Sequence, residues 1–170
     1  MPLKRFINYS LNINHMNLQE TLNKIKKELL ILLKVNIEFR HIGSSALGID
    51  GKKDIDLEVL VNPADFKTSK QKMISKYGLP KKEIDEFWNK FETKIGDWEI
   101  DLLLSTPNHP ATITNKIFFE HLKNNVDSRN EYLKIKNKSK LLPREQYNKA
   151  KEEFRERVVK EVQDAQNNSS

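Results

Sequence analysis

Asp54 and Asp56 stand two residues apart in the run Asp-Ile-Asp-Leu-Glu-Val-Leu-Val that fills residues 54–61. Alternate side chains of a strand share a face, so both carboxylates project together with Glu58, while Ile55, Leu57, Val59 and Val61 point the other way. Two like charges held so close repel, and burying them is costly. A hard divalent cation such as Mg2+, which prefers carboxylate oxygens, removes that cost. Asp101 offers a third carboxylate, inside the apolar run Trp98-Glu99-Ile100-Asp101-Leu102-Leu103-Leu104. It is out of phase with Ile100, Leu102 and Leu104, as Asp56 is with Ile55 and Leu57. On an adjacent antiparallel strand it would complete a three-acid site for the ion and could take a proton from an attacking hydroxyl.

Gly43-Ser44 supplies the complementary element. Glycine lets backbone amides approach an anion, and a serine at the start of a helical turn adds a hydroxyl where N–H groups point outward. A phosphate cradle beside a metal-binding acid pair is what phosphoryl and nucleotidyl transfer require. Singly, a Gly-Ser after a strand reads as a turn, and an Asp-x-Asp reads as a solvated strand face. Their order along the chain is what points to a site. Arg129, Tyr132 and Lys136 fall on one helix face, either as a phosphate or substrate clamp or as a solvated basic face. Lys52 and Lys53 read as loop lysines and His41 as a structural hydrogen-bonder at a strand end. His15, His109 and His121 show no zinc-ligand spacing. No Walker loop and no Gly-x-Ser-x-Gly elbow occurs, which argues against P-loop and serine-hydrolase chemistry.

The elements that must position these residues are legible from periodicity. Residues 1–16 carry no clear period and read as an extended arm. Asn17 and Glu20 form a capping box ahead of Leu18, Leu22, Ile25, Leu29 and Leu33, which predicts an amphipathic helix over 18–34. A short strand over 37–42 ends at Gly43, and after a loop containing Gly48 and Gly51 comes the acidic strand 54–61. Asn62-Pro63 starts a helix over 63–77, with Phe66, Met73, Ile74 and Tyr77 inward. Residues 84–104 predict a β-hairpin turning at Gly96-Asp97. Helices follow over 114–124, over 128–138 capped by Asp127, and over 144–162 after Pro143, with a polar, frayed tail from Asp164.

At 170 residues, 37% hydrophobic and 32% charged, the chain fits one domain with one core and strongly solvated helix faces. Residues 17–106 would form the core and 111–162 a helical part closing the cleft. The absence of cysteine excludes disulfides, thiolate metal sites and a cysteine nucleophile. No segment approaches the ~20 apolar residues of a membrane helix. Met1-Pro2-Leu3-Lys4-Arg5 lacks the apolar run of a signal peptide, so the expected location is the cytoplasm. The net charge of +6 suits nucleic acid or phosphorylated small molecules, and the basic residues are interleaved with acids rather than gathered in one patch.

His41-Ile42-Gly43-Ser44-Ser45-Ala46, followed by Gly51-Lys52-Lys53-Asp54-Ile55-Asp56-Leu57, resembles the signature of the GrpB-like family of the nucleotidyltransferase (polymerase-β-like) superfamily. Phe118-Phe119-Glu120-His121-Leu122 and Arg129-Asn130-Glu131-Tyr132-Leu133-Lys134-Ile135-Lys136 are similar to the family's C-terminal pattern, and the similarity covers about residues 17–160. The resemblance implies an α/β (α+β) fold, a mixed sheet with helices on one side and a C-terminal helical part. It also implies that Gly43 and Ser44 hold nucleotide phosphates, that Asp54 and Asp56 hold Mg2+, and that Asp101 is the third acid. Gly48 stands where the family often has proline, and Asp101 where many members carry histidine, so this chain looks closer to an active transferase than much of the family. The expected partners are a nucleoside triphosphate and a small-molecule or RNA acceptor. The competing expectations are a non-catalytic nucleotide- or phospho-ligand-binding module and a tRNA-modifying transferase that holds RNA on its basic helices.

Overall fold

The computed structural model describes residues 16–49, 53–138 and 141–168. The arm read over residues 1–16 falls almost wholly outside the described residues, as does the part of the Gly51 loop at 50–52. Among the described residues the chain forms six helices and one five-stranded sheet. Helix α1 (Leu18–Leu33) carries the capping box: Asn17 Oδ1 accepts from the Glu20 N–H at 2.9 Å, and Glu20 Oε2 accepts from the Asn17 N–H at 3.0 Å. Strand β1 (Glu38–Ile42) runs into the one-turn helix α2 (Gly43–Ala46), and the acidic strand is β2 (Asp54–Leu60). Helix α3 (Pro63–Tyr77) starts on its proline, although the Asn62 side chain makes no capping bond.

Strand β3 (Lys82–Asp85) is not evident from the alternation, because all four of its residues are exposed at the sheet edge. It pairs with β4 (Trp88–Ile95), which forms the expected hairpin with β5 (Trp98–Ser105). Ile95 opposite Trp98 leaves a two-residue turn, and Gly96 adopts the positive φ of 58° that such turns demand. The strand order is β1-β2-β5-β4-β3. One expectation is corrected here: β5 pairs with β2 in parallel, not antiparallel. Helix α3 returns the chain to the start of the sheet, so β3 and then β5 run in the direction of β2.

The sheet has two unlike faces. Ile55, Leu57 and Val59 of β2, Ile100, Leu102 and Leu104 of β5 and Phe91 of β4 pack with Leu22, Ile25, Leu29 and Leu33 of α1 and Phe66 and Met73 of α3 in the main core. The opposite face bears the acids. Over it stand α4 (Pro110–Asn124), α5 (Val126–Lys138) and α6 (Arg144–Asn167), joined by a second core of Leu122, Tyr132, Phe154 and Val158. Leu47 and Ile49, just after α2, pack against that second core and tie it to the Gly43 turn. Several helix ends differ from expectation, and α4 begins at Pro110, capped by His109, rather than at residue 114. The cap of α5 is Asn125, whose Oδ1 accepts from the Ser128 N–H at 2.9 Å, with Asp127 inside the first turn. Helix α6 continues through Asp164 to Asn167.

Candidate functional site

β1 ends opposite Asp56, with Ile42 as its register partner, and the chain then breaks at Gly43 with φ +79°. A Cβ built on Gly43 would overlap the Asp56 carboxylate, so the turn and the acid are in direct apposition and the position demands glycine twice over. The turn leads into α2, where Ser44 is buried and its hydroxyl accepts from Lys136 Nζ at 2.5 Å. His41 Nε2 lies 3.0 Å from Ser45 Oγ, the structural role expected of it, and burial with Lys26 nearby lowers its pKa.

Asp56 and Asp101 are direct register partners across the parallel β2–β5 pair, and Asp54 sits two residues before Asp56 on the same face. Burial, reinforced by Asp101 and Asp54, pushes the Asp56 carboxyl up to about 6 despite opposition from Lys151 and Lys90. Burial also raises Asp101, although Lys90 Nζ stands 2.6 Å from its Oδ2 and opposes the rise. Lys90 reaches Glu92 as well, at 3.4 Å.

These acids line a cavity of about 400 Å³ between the sheet and the C-terminal helices. Gly43, Ser44, Tyr132 and Lys136 line it too; Arg129 does not, so the structure brings together two of the three residues of the sequence-read clamp. In place of Arg129 the cavity receives Tyr147, Lys151 and Arg155 from α6. Sequence reasoning missed these three, and the signal was present. Arg129-x-x-Tyr132-x-x-x-Lys136 recurs as Arg144-x-x-Tyr147-x-x-x-Lys151, and Arg155 follows one turn on. In both copies the tyrosine and lysine enter the cavity and the arginine stays outside its lining. Burial, with Asp56 and Asp54 nearby, pushes the Tyr132 hydroxyl up to about 12, so it remains a donor at neutral pH.

Glu58, the third acid of β2, is fully buried at 0% exposure. Its Oε1 accepts from Asn115 Nδ2 at 2.8 Å, and its Oε2 stands 2.9 Å from Arg40 Nη2, close as an ion pair but not aligned as a hydrogen bond. Asn115 Oδ1 in turn accepts from Arg155 Nη2 at 2.8 Å. Burial raises the Glu58 pKa while Asn115 and Arg40 pull it down, which marks a carboxylate held in place rather than one open to ligand.

The donor set suits a hard divalent cation in kind: carboxylate oxygens on one face, at a half-buried acid whose pKa is raised despite Lys151 and Lys90. In placement, no three acidic or histidine side chains among the described residues converge closely enough to hold an ion. Asp54 and Asp56 share a face of β2 and both line the cavity, and they are the acids that would hold such an ion; Asp101 is paired with Lys90. His109 and His121 are engaged structurally, His109 with Asp85 at 2.8 Å and His121 with Ser128 at 2.9 Å. No helix among the described residues is long and apolar enough to cross a membrane.

A mixed sheet whose acidic face abuts a Gly-Ser turn, under a helical C-terminal part, is the architecture of this chain, and the family it matches is commonly placed in the nucleotidyltransferase-like superfamily. The GrpB protein family matches residues 12–161, and the chain belongs to it. The crystal structure of a conserved protein GrpB from Enterococcus faecalis shares the fold with a TM-score of 0.65 at 16% identity, over 85% of this chain and 93% of that one. No functionally curated protein matches the chain.

Proposed function

We propose that the protein is a cytoplasmic, Mg2+-dependent nucleotidyltransferase that moves a nucleoside monophosphate from a nucleoside triphosphate to a hydroxyl-bearing acceptor. The observation that carries this reading is the apposition of Gly43 to Asp56, with Asp54 and, on the neighbouring strand, Asp101 on the same sheet face. Gly43-Ser44 and Lys136 would hold the phosphates, and Asp54 and Asp56 would hold the ion, with Asp101 as the third acid. Such an ion would neutralise the triphosphate charge. The chain's own groups do the rest. Tyr132 and Lys136 orient the phosphates, and the α4–α6 cover limits water. The acceptor hydroxyl gives its proton to Asp101 as its oxygen bonds the α-phosphorus; the bond from that phosphorus to the β-phosphate oxygen breaks, and pyrophosphate leaves.

The Lys90–Asp101 ion pair favours a second reading, a metal-independent phospho-ligand-binding domain, because an ammonium already compensates the third acid. Thermal shift of the full chain with ATP, CTP, GTP and UTP, each with and without Mg2+, separates the two. Under transfer, stabilisation needs triphosphate and ion together. A shift indifferent to the ion selects the binding domain, and no shift with any triphosphate overturns the transfer reading.

A further inference from the structure

Arg155 lines the cavity, and its one ion pair is a loose, solvent-exposed one. Its Nη2 donates to Asn115 Oδ1 at 2.8 Å, and its nearest carboxylate among the described residues is Glu152, 3.7 Å away and itself more than half exposed. The tie to Asn115 is not adventitious. Asn115 donates its amide N–H to the buried Glu58, so its carbonyl oxygen is turned by a fixed carboxylate and is left to accept from Arg155. The Glu58 charge is offset by Arg40 at 2.9 Å. A neutral amide therefore positions the guanidinium, whose ion-pair partner Glu152 is more than half exposed and holds it only weakly. A surface arginine needs no such support, whereas an oxyanion-binding arginine gains affinity when its fork is held in advance.

The relay that holds this arginine is anchored apart from the Gly43-Ser44 turn. The turn abuts Asp56, while the Asn115 relay anchors on Glu58, two residues and ~7 Å further along the same strand face. We propose that Arg155, positioned by Asn115 and Glu58, forms a second anion subsite, and that the acceptor in the transfer reaction carries an oxyanion, phosphate or carboxylate, which this subsite holds. This rests on the transfer reading only for naming the ligand as the acceptor. The subsite itself stands on the cavity and the relay. Arg155 is the binding residue, and Asn115 and Glu58 are positioning residues.

Titration calorimetry of the full chain tests this, with inorganic phosphate and malonate as probes, each added to the free protein and to protein saturated with ATP. Phosphate is expected to bind in both cases, and Arg155→Met to weaken it about tenfold or more through loss of charge-assisted hydrogen bonds, leaving ATP affinity within about twofold. Malonate binding alongside phosphate assigns a general oxyanion subsite, and phosphate alone assigns a phosphate ester. Should Arg155→Met fail to fold, Arg155→Lys replaces it, and a loss of about threefold or more is expected because an ammonium cannot reproduce the paired contacts. Phosphate binding that survives the substitution overturns the subsite. So does an ATP affinity that falls with Arg155→Met as far as with Lys136→Met, since Arg155 would then belong to the triphosphate cradle. Failure of ATP to bind, with phosphate still dependent on Arg155, removes the transferase reading and leaves the subsite intact.

Discussion

The two faces of one sheet are built to opposite specifications. On the α1/α3 side, Leu57 and Leu102 are fully buried in an apolar core. One residue away along the same strands, Asp56 and Asp101 face a polar cavity, with Lys90 on Asp101 and Lys136 on the neighbouring Ser44. The first face contributes free energy for every methylene it hides. The second gives up part of that to hold like charges together, and it tolerates the cost because the core behind it is closed. The strand pair is thus a partition between stability and chemistry, with adjacent residues on opposite sides.

The sharpest way to break that partition is to substitute neighbours. Leu57→Ala removes a fully buried side chain from the main core. It is expected to destabilise the protein by about 2–5 kcal/mol in denaturant unfolding, while the protein that remains folded binds ATP unchanged. A loss of ligand affinity at constant fold would show that the core face also shapes the site.

Asp56→Asn should move the other way. In the metal-free protein the Asp56 carboxyl is pushed up to about 6 from an ordinary 3.8, so its ionised form is disfavoured in the folded state. A raised carboxyl pKa means that the folded chain binds more protons than the unfolded chain between about pH 4 and 6. Stability therefore rises as pH falls through that window, and above it the folded state bears the full cost of the charge. At pH 7 the substitution is expected to stabilise by about 1–3 kcal/mol, because each tenfold change in proton affinity corresponds to about 1.4 kcal/mol. The gain should vanish near pH 4 and be accompanied by loss of any Mg2+ response. Unfolding curves of both chains at pH 4, 5.5 and 7 check it, and a variant less stable at pH 7 would show that the charge is already compensated.

The contrast also explains what could be read from the sequence. The alternation of Asp54-Ile55-Asp56-Leu57 settles which residues face the core and which do not, because a two-residue period leaves no other solution. The capping box of Asn17 and Glu20 and the turn at Gly96 are local chemistry, and both stand as read. Strand direction is not local. Whether Asp101 meets Asp56 in parallel or antiparallel depends on how α3 and the added strand β3 route the chain, and β3 has no buried residue to betray it. The α6 contribution was hidden for a different reason. Tyr147, Ala150, Phe154 and Val158 read as one apolar stripe, which makes Tyr147 a core residue rather than a cavity one, and Lys151 and Arg155 look like any solvated helix flank until the sheet's acids lie opposite them. Glu58 likewise reads as one more outward acid of β2, and its burial depends on Asn115 and Arg40, which are distant in sequence.

The smallest effect is expected where a charge lies near the acids in sequence but outside the cavity in space. Lys53 immediately precedes Asp54, yet its Nζ pairs with Asp97 at 3.1 Å, with both side chains more than two-fifths exposed. Solvent screens such a pair, and holding two long side chains together offsets much of the attraction. Lys53→Ala is therefore expected to change stability by less than about 0.5 kcal/mol and ATP affinity by less than about twofold, whereas Lys136→Ala, which removes the donor to Ser44, weakens ATP by about tenfold or more. Paired calorimetric titrations of the two variants measure the difference. Equal losses would mean that the whole basic surface attracts the nucleotide, and would move the reading from a built pocket toward long-range steering, which salt abolishes and a positioned ammonium survives.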